Sequence, residues 1–135
     1  MTPEEEARLL AAVETIARNH DRSMRADTVI KLTAAGTLDD LECERVKAGR
    51  ELVITYLGGY DLTTATTTTR VGYKDGDQYY WWKTAAAPAA AVTTEIIGEF
   101  RLREGQMPVV RFVGATAADD LIAVLNGYWV PVKGR

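Results

Sequence analysis

Residues 70–83 read Arg-Val-Gly-Tyr-Lys-Asp-Gly-Asp-Gln-Tyr-Tyr-Trp-Trp-Lys, and the Asp75-Gly76 pair within them constrains the fold most. A two-residue hairpin turn of type I′ needs positive φ at both central positions, which Asp-Gly supplies between two β-rich runs. The turn fixes a register: Lys74 faces Asp77, Gly72 faces Tyr79, Val71 faces Tyr80, Arg70 faces Trp81 and Thr69 faces Trp82. Alternation then puts Val71, Tyr73, Tyr80 and Trp82 on a core face. The opposite face carries Arg70, Gly72, Lys74, Asp77, Tyr79, Trp81 and Lys83. Two large rings among three cations on a solvent face make a candidate recognition patch.

The bulk numbers fit one domain over residues 1–135, with a helical part at 1–59 and a β-rich part at 60–135. The chain is a small acidic protein. Its net charge of −3 argues against nucleic acid as a partner. No apolar run approaches the roughly 20 residues of a membrane-spanning helix. The acidic Glu4-Glu5-Glu6 start is unlike a secretory signal, and the single Cys43 excludes an internal disulfide. Together these point to a cytoplasmic protein.

Two helices and an uncertain third segment are read before Gly59. Thr2 as N-cap, Pro3 at the first helical position and Glu5 three residues on form a capping box. Leu9, Val13, Ile16 and His20 then fall within about 60° on one stripe. The stretch Ser23–Ala35 can continue as helix, although Thr28-Val-Ile-Lys-Leu-Thr33 is also a good strand former. Thr37 with Asp40 caps a long helix whose Leu38, Leu41, Ala48, Leu52, Val53 and Tyr56 lie on one side, stopped by Gly58-Gly59.

After Gly59 the period becomes two. Thr63–Tyr73 and Tyr79–Lys83 form the hairpin, and the Ala-rich stretch Thr84–Ala91 is an exposed connection. Val92–Arg103 alternates, with Ile96, Phe100 and Leu102 inward. Val109–Val113 is a strand, and Thr116 caps a short helix to Asn126. Tyr128–Val132 closes the chain as an edge strand because of Pro131. The expected class is α+β: an antiparallel sheet of about five strands, with the N-terminal helices on one face and a short late helix. Leu41, Leu52 and Tyr56 should pack against Ile96, Phe100 and Leu102.

No catalytic constellation emerges. His20 and Asp21 are sequence neighbours and do not face each other on a helix. A lone Cys43 with a lone histidine gives neither a Cys–His pair by spacing nor a zinc site. Asp75-Gly76-Asp77 starts like a calcium loop, but Tyr79 and Trp81 occupy the next ligand positions. Asp119 and Asp120 read as carboxylates in a helix's first turn, with paired-carboxylate chemistry as the minor reading. Gly114–Asp119, between a strand and a helix, could cradle an anion on free amides, but lacks the glycines of a dinucleotide motif. Arg45 falls at the centre of the long helix's apolar stripe, so it is either a buried ion pair or a guanidinium snorkelling to water. Arg18, Arg22 and Arg25 with Lys31 form the one basic cluster. A helix-turn-helix reading fails because the third helix would begin with Asp39, Asp40, Glu42 and Glu44.

The function that follows is a non-enzymatic protein–protein interaction protein of assembly, adaptor or inhibitor type, with no metal or cofactor. Tyr79 and Trp81 would anchor it, and Arg70, Lys74 and Lys83 would form the rim, with Arg70 stacked on Trp81. Its partner would be another protein or copies of itself. Thr37–Thr69, a capped helix ending Tyr-Leu-Gly before a Thr-rich strand, looks like small bacteriophage head–tail connector proteins. That resemblance covers a quarter of the chain and implies a viral protein acting in virion assembly. The alternative is a small-molecule binder or small acid–base enzyme, with a cone-shaped α+β pocket lined by Tyr73, Tyr80, Trp82 and Trp129.

Overall fold

A computed structural model describes residues 2–10 and 24–132. Eight strands dominate it: β1 (Thr28–Thr33), β2 (Leu38–Glu42), β3 (Arg50–Asp61), β4 (Thr68–Asp75), β5 (Gln78–Ala86), β6 (Thr94–Leu102), β7 (Gln106–Val113) and β8 (Asp120–Pro131). They form two four-stranded sheets with orders β1-β8-β3-β6 and β2-β7-β4-β5, and all of the pairings are antiparallel. Two such sheets, with β4–β5 the innermost hairpin and β1–β8 the outermost pair, are an eight-stranded jelly roll.

This overturns the α+β expectation. One helix, α1 (residues 3–10), begins as read: Glu5 N–H donates to Thr2 Oγ1 at 3.3 Å, and Thr2 N–H donates to Glu5 Oε2 at 3.4 Å. Residues 3–10 of α1 are all exposed, so among the described residues this helix buries no face against a sheet. Its stripe beyond Leu10, with Arg18, His20, Asp21 and Arg22, lies outside the described residues.

The long helix expected after Thr37 is instead β2, a turn and β3. Asp39, Leu41 and Cys43 are buried at alternate positions, which is strand periodicity. Asp39 also acts as a turn cap, since its carboxylate accepts from Ala35 N–H (2.7 Å) and Gly36 N–H (3.3 Å). Gly36 there has φ +109°, a conformation side chains disfavour. Residues 28–33 take the strand alternative. The expected late helix is the start of β8, whose Leu121–Leu125 run lies between β1 and β3. The run is apolar throughout but its burial alternates, with Leu121, Ala123 and Leu125 buried in the core and Ile122 and Val124 half-buried on the other face. Between β1 and β3, strand β8 is central, not an edge. Pro131 is tolerated at its last position, past the end of β1.

The core lies between the sheets. Leu52, Ile54, Leu57, Leu121 and Leu125 from the first sheet meet Leu41, Val71, Val110 and Phe112 from the second. Leu52 pairs with Leu102 and Leu57 with Ile96, so part of the expected core is real; Tyr56 and Phe100 are only half-buried. Gly59 lets the sheets approach: a Cβ there would stand 2.6 Å from Val110 Cγ1 and 3.1 Å from Phe112 Cζ. With leucine truncations in such cores costing about 2–5 kcal/mol, this layer supplies much of the stability.

Candidate functional site: the outer face of the β2-β7-β4-β5 sheet

The hairpin turns one residue later than expected, which shifts the pairing of its strands by two. Asp75 pairs with Gln78, so Gly76 and Asp77 make the turn, and Gly76 carries the positive φ of +59°. Lys74 then faces Tyr79 and Gly72 faces Trp81, until a bulge at Trp82 makes Val71 face Lys83. The two faces are nevertheless sorted as expected around the turn. Tyr73 and Trp82 pack against the core, with Trp82 4.8 Å from the Phe100 ring. Tyr79, Trp81, Arg70, Gly72 and Lys74 share the outer face by alternation. Lys83 does not join them in line: the bulge puts Thr84, not Lys83, opposite Arg70, and Lys83 is exposed beside it.

Gly72 organises the patch. A Cβ there would come within 2.9 Å of Trp81 Cε3 and 1.9 Å of the Tyr80 carbonyl oxygen, so the indole lies across the glycine. Gly72 also pairs with Val109 on β7. Val109 is fully buried yet outside the inter-sheet core, at the outer position next to the Gly72 that the Trp81 indole crosses. Tyr79 and Trp81 are stacked, with centroids 5.6 Å apart and planes 9° apart.

The cation on the rings is Arg111, not the expected Arg70. Arg111 Cζ is 4.1 Å from the Tyr79 centroid and 5.0 Å from that of Trp81, and Lys74 Nζ is 5.3 Å from Tyr79. Arg111 faces Asp40 across β7–β2 and donates to it twice, Nε to Oδ1 at 2.7 Å and Nη2 to Oδ2 at 2.9 Å. This fork raises the guanidinium pKa, with the Asp40 hydrogen bond as the largest cause and partial burial opposing it. Arg70 stands beside Arg111 on β4, half-buried, and its Nε is enclosed with no hydrogen-bond partner among the described residues. The patch thus joins one neutralised arginine, one unneutralised arginine, a lysine and two fixed rings.

The sequence missed Arg111 and Asp40. Arg111 interrupts the apolar run Val109–Val113, which marks an outward position, but its partner lies 71 residues away. Arg45, read as either a buried pair or a guanidinium reaching water, is exposed in the β2–β3 connection, in keeping with the second reading. Among the described residues the least exposed ion pair is Asp40–Arg111.

The alternative pocket does not assemble. Tyr73, Tyr80 and Trp82 stack on one another, at 5.1 Å and 5.2 Å, instead of lining a void. Trp129 lines a separate open pocket of about 230 Å³ with Ile30, Leu52 and Leu125. The carboxylates at that pocket are already engaged: Asp27 accepts from Gly127 N–H at 3.1 Å, and Glu44 pairs with Lys47 at 3.3 Å. Nor is 114–119 an anion cradle, because Gly114, Ala118 and Asp119 N–H donate to the Thr37, Ala34 and Thr116 carbonyls. Arg25 pairs with Asp27 and Lys31 with Asp120. Burial pushes the Cys43 thiol up to about 12, which keeps it from acting as a thiolate. Among the described residues no group of three metal-ligating side chains gathers, and no helix is long and apolar enough to cross a membrane.

No protein-family model and no curated protein matches this chain. Solved structures do match in fold. A chain of the Sulfolobus Turreted Icosahedral Virus superposes with a TM-score of 0.57 at 14% identity, covering 82% of this chain and 30% of that one. A subunit of Bacillus endospore appendages, disulfide-linked pili, gives 0.48 at 17% identity, covering 81% and 88%. A chain of the Helicobacter pylori bacteriophage KHP30 capsid gives 0.45 at 13%, covering 79% and 100%. Pilus and viral proteins are thus among the structures this chain is similar to. At these identities the likeness is one of fold.

Proposed function

We propose that this is a non-enzymatic assembly protein, a virion component, that docks copies of itself or another protein through the outer face of the β2-β7-β4-β5 sheet. The carrying observation is the fixed Tyr79–Trp81 pair, held upright by an arginine that is itself pinned by Asp40. Rings immobilised beforehand lose little entropy on binding, which is what an interface anchor requires. Arg70 and Lys74 supply unneutralised charge at the margin of the anchor. The jelly-roll likeness to a chain of an icosahedral virus agrees with the virion reading. The head–tail connector version is not retained, because the capped helix on which it rested is β2 and β3.

Sedimentation velocity over a range of concentrations tests the reading. The wild type should associate, and the Tyr79→Ser/Trp81→Ser double variant should stay monomeric with an unchanged far-ultraviolet β signal. A double variant that associates as the wild type does would place the interface elsewhere.

A further inference from the structure

Two buried carboxylates meet where β3 ends and β8 begins, away from the aromatic patch. Asp61 and Asp119 are 4% and 7% exposed. Thr64 bridges them: its N–H donates to Asp61 Oδ1 at 3.2 Å, and its hydroxyl donates to Asp119 Oδ2. Thr63 N–H also donates to Asp61 Oδ1, at 3.0 Å. Asp61 Oδ2 is enclosed with no hydrogen-bond partner among the described residues, and the Asp119 carboxylate, held by the same Thr64, is its acidic neighbour. Two carboxylate oxygens cannot bond without a hydrogen between them, and like charges in such a site cannot both ionise cheaply.

We propose that Asp61 and Asp119 share one proton and form a pH-operated latch between the β3–β4 loop (62–67) and the β7–β8 loop (114–119). With the proton on Asp61 Oδ2, that hydroxyl donates to Asp119 and every oxygen of the pair has a use. When the proton leaves to solvent, two carboxylates face each other and Thr64 alone cannot reconcile them. The ionisable side chains on the surrounding elements do not supply a counter-charge. Asp120 is paired with Lys31 at 3.6 Å, and Asp39 is occupied by the Ala35 and Gly36 amides. Burial is the largest cause raising the Asp61 pKa, and Asp119 adds to it against the lowering pull of the Thr63 and Thr64 amides.

The sign of the pH effect follows. A carboxyl whose folded pKa exceeds its unfolded one stabilises the fold below the ordinary aspartate range, and that contribution is lost as pH rises through the raised value. Its first structural consequence is separation of the two loops, which are tied by Leu62 N–H to Asp120 O (3.0 Å) and Thr67 N–H to Val113 O (2.9 Å), while the Thr63 and Thr64 amides stay on the ionised Asp61 that they favour.

Amide-exchange protection at Leu62 and Thr67, whose N–H groups join the two loops, measured on the full chain across pH and corrected for intrinsic rates, tests this. Wild-type protection should be high in acid and fall at least tenfold as the pair deprotonates. Asp61→Asn should remain protected throughout, since its amide N–H replaces the shared proton and its Oδ1 still accepts both backbone bonds. Asp119→Asn should do the same from the other side, and serves if the first variant fails to fold. The Asp61 carboxyl carbon should titrate above the ordinary aspartate range by NMR. Equal, pH-independent protection in wild type and variants would overturn the latch. So would calcium chloride restoring protection at neutral pH in the wild type alone, because a cation would then hold the pair.

Discussion

The two sheets share one core but meet solvent in different ways. On the β2-β7-β4-β5 sheet the outer face folds over itself. Trp81 crosses Gly72 beside the buried Val109 and stacks on Tyr79, and the Asp40-paired Arg111 lies over both rings. On the β1-β8-β3-β6 sheet the outer face is more open, although Val53, paired with Arg101 and Tyr128, is fully buried on it. Val29 (68%), Ile97 (72%) and Tyr128 (41%) are exposed, and its ion pairs, Arg101 with Glu51 and Glu99, are solvated. Exposed large hydrophobics by themselves signify little. What separates the faces is pre-ordering: one presents side chains with a single geometry, the other presents separate residues free to move.

The largest effect should come from what the two faces have in common. Phe112 is fully buried and touches the Gly59 approach between the sheets. Phe112→Ala should cost about 3–5 kcal/mol in denaturant unfolding, within the range for buried aromatics. A smaller loss would mean that the sheets hold together through their edges and not through this layer.

The next test contrasts one arginine from each face. Arg111 and Asp40 side chains are 16% and 15% exposed. Removing Arg111 strands a nearly buried carboxylate, so Arg111→Ala should destabilise by about 2–3 kcal/mol, somewhat below a fully buried pair. It should also loosen the rings, visible as a red shift of Trp81 fluorescence. The first sheet's Arg101 also has a raised pKa, through its Glu99 hydrogen bond, yet it is solvated, and Arg101→Ala should leave the melting temperature unchanged. Equal responses from the two variants would erase the distinction drawn between the faces.

The aromatic face was more legible in the sequence than the fold around it. Alternation over Arg70–Trp82 sorts the inward Val71, Tyr73 and Trp82 from the outward Tyr79 and Trp81, because the pairing is shifted by two residues and an even shift keeps each side chain on its face; Tyr80, expected in the core, is exposed. The register itself was not legible: Asp75-Gly76 and Gly76-Asp77 are both acceptable turns, and Gln106 Nε2 donates to Asp75 at 3.1 Å from β7. Helix signals misled where strands carry polar residues. Thr37-Leu-Asp-Asp meets the capping-box pattern, but Asp39 turns the chain by accepting from residues before it. Leu121–Leu125 shows no alternation in its sequence because apolar Ile122 and Val124 fill the half-buried outer face as well, although burial itself alternates. Asp61 and Asp119, like Asp40 and Arg111, are joined only by sheet pairing across long sequence separations. No local pattern encodes that.

The smallest effect lies on the open face and measures how open it is. Tyr56 is half-buried, and its hydroxyl sits over Gly58, where a Cβ would be 2.9 Å from both Tyr56 Oη and Glu95 Cβ. Partial burial first, then the hydrogen bond and charge of Glu95, push the Tyr56 pKa up to about 12. The phenol should therefore keep its proton through the range where an unfolded tyrosine loses it, near pH 10. Its contribution to stability is complete below that range and lost as pH rises through about 12. Difference absorbance at the phenolate band should show one tyrosine titrating late, and Glu95→Gln should lower its midpoint only part of the way, because burial is the larger cause. A return to the ordinary value would mean that Glu95 alone holds the proton and that water reaches Tyr56 freely. An unshifted midpoint in the variant would mean this corner is dry, and the contrast between the two faces would shrink accordingly.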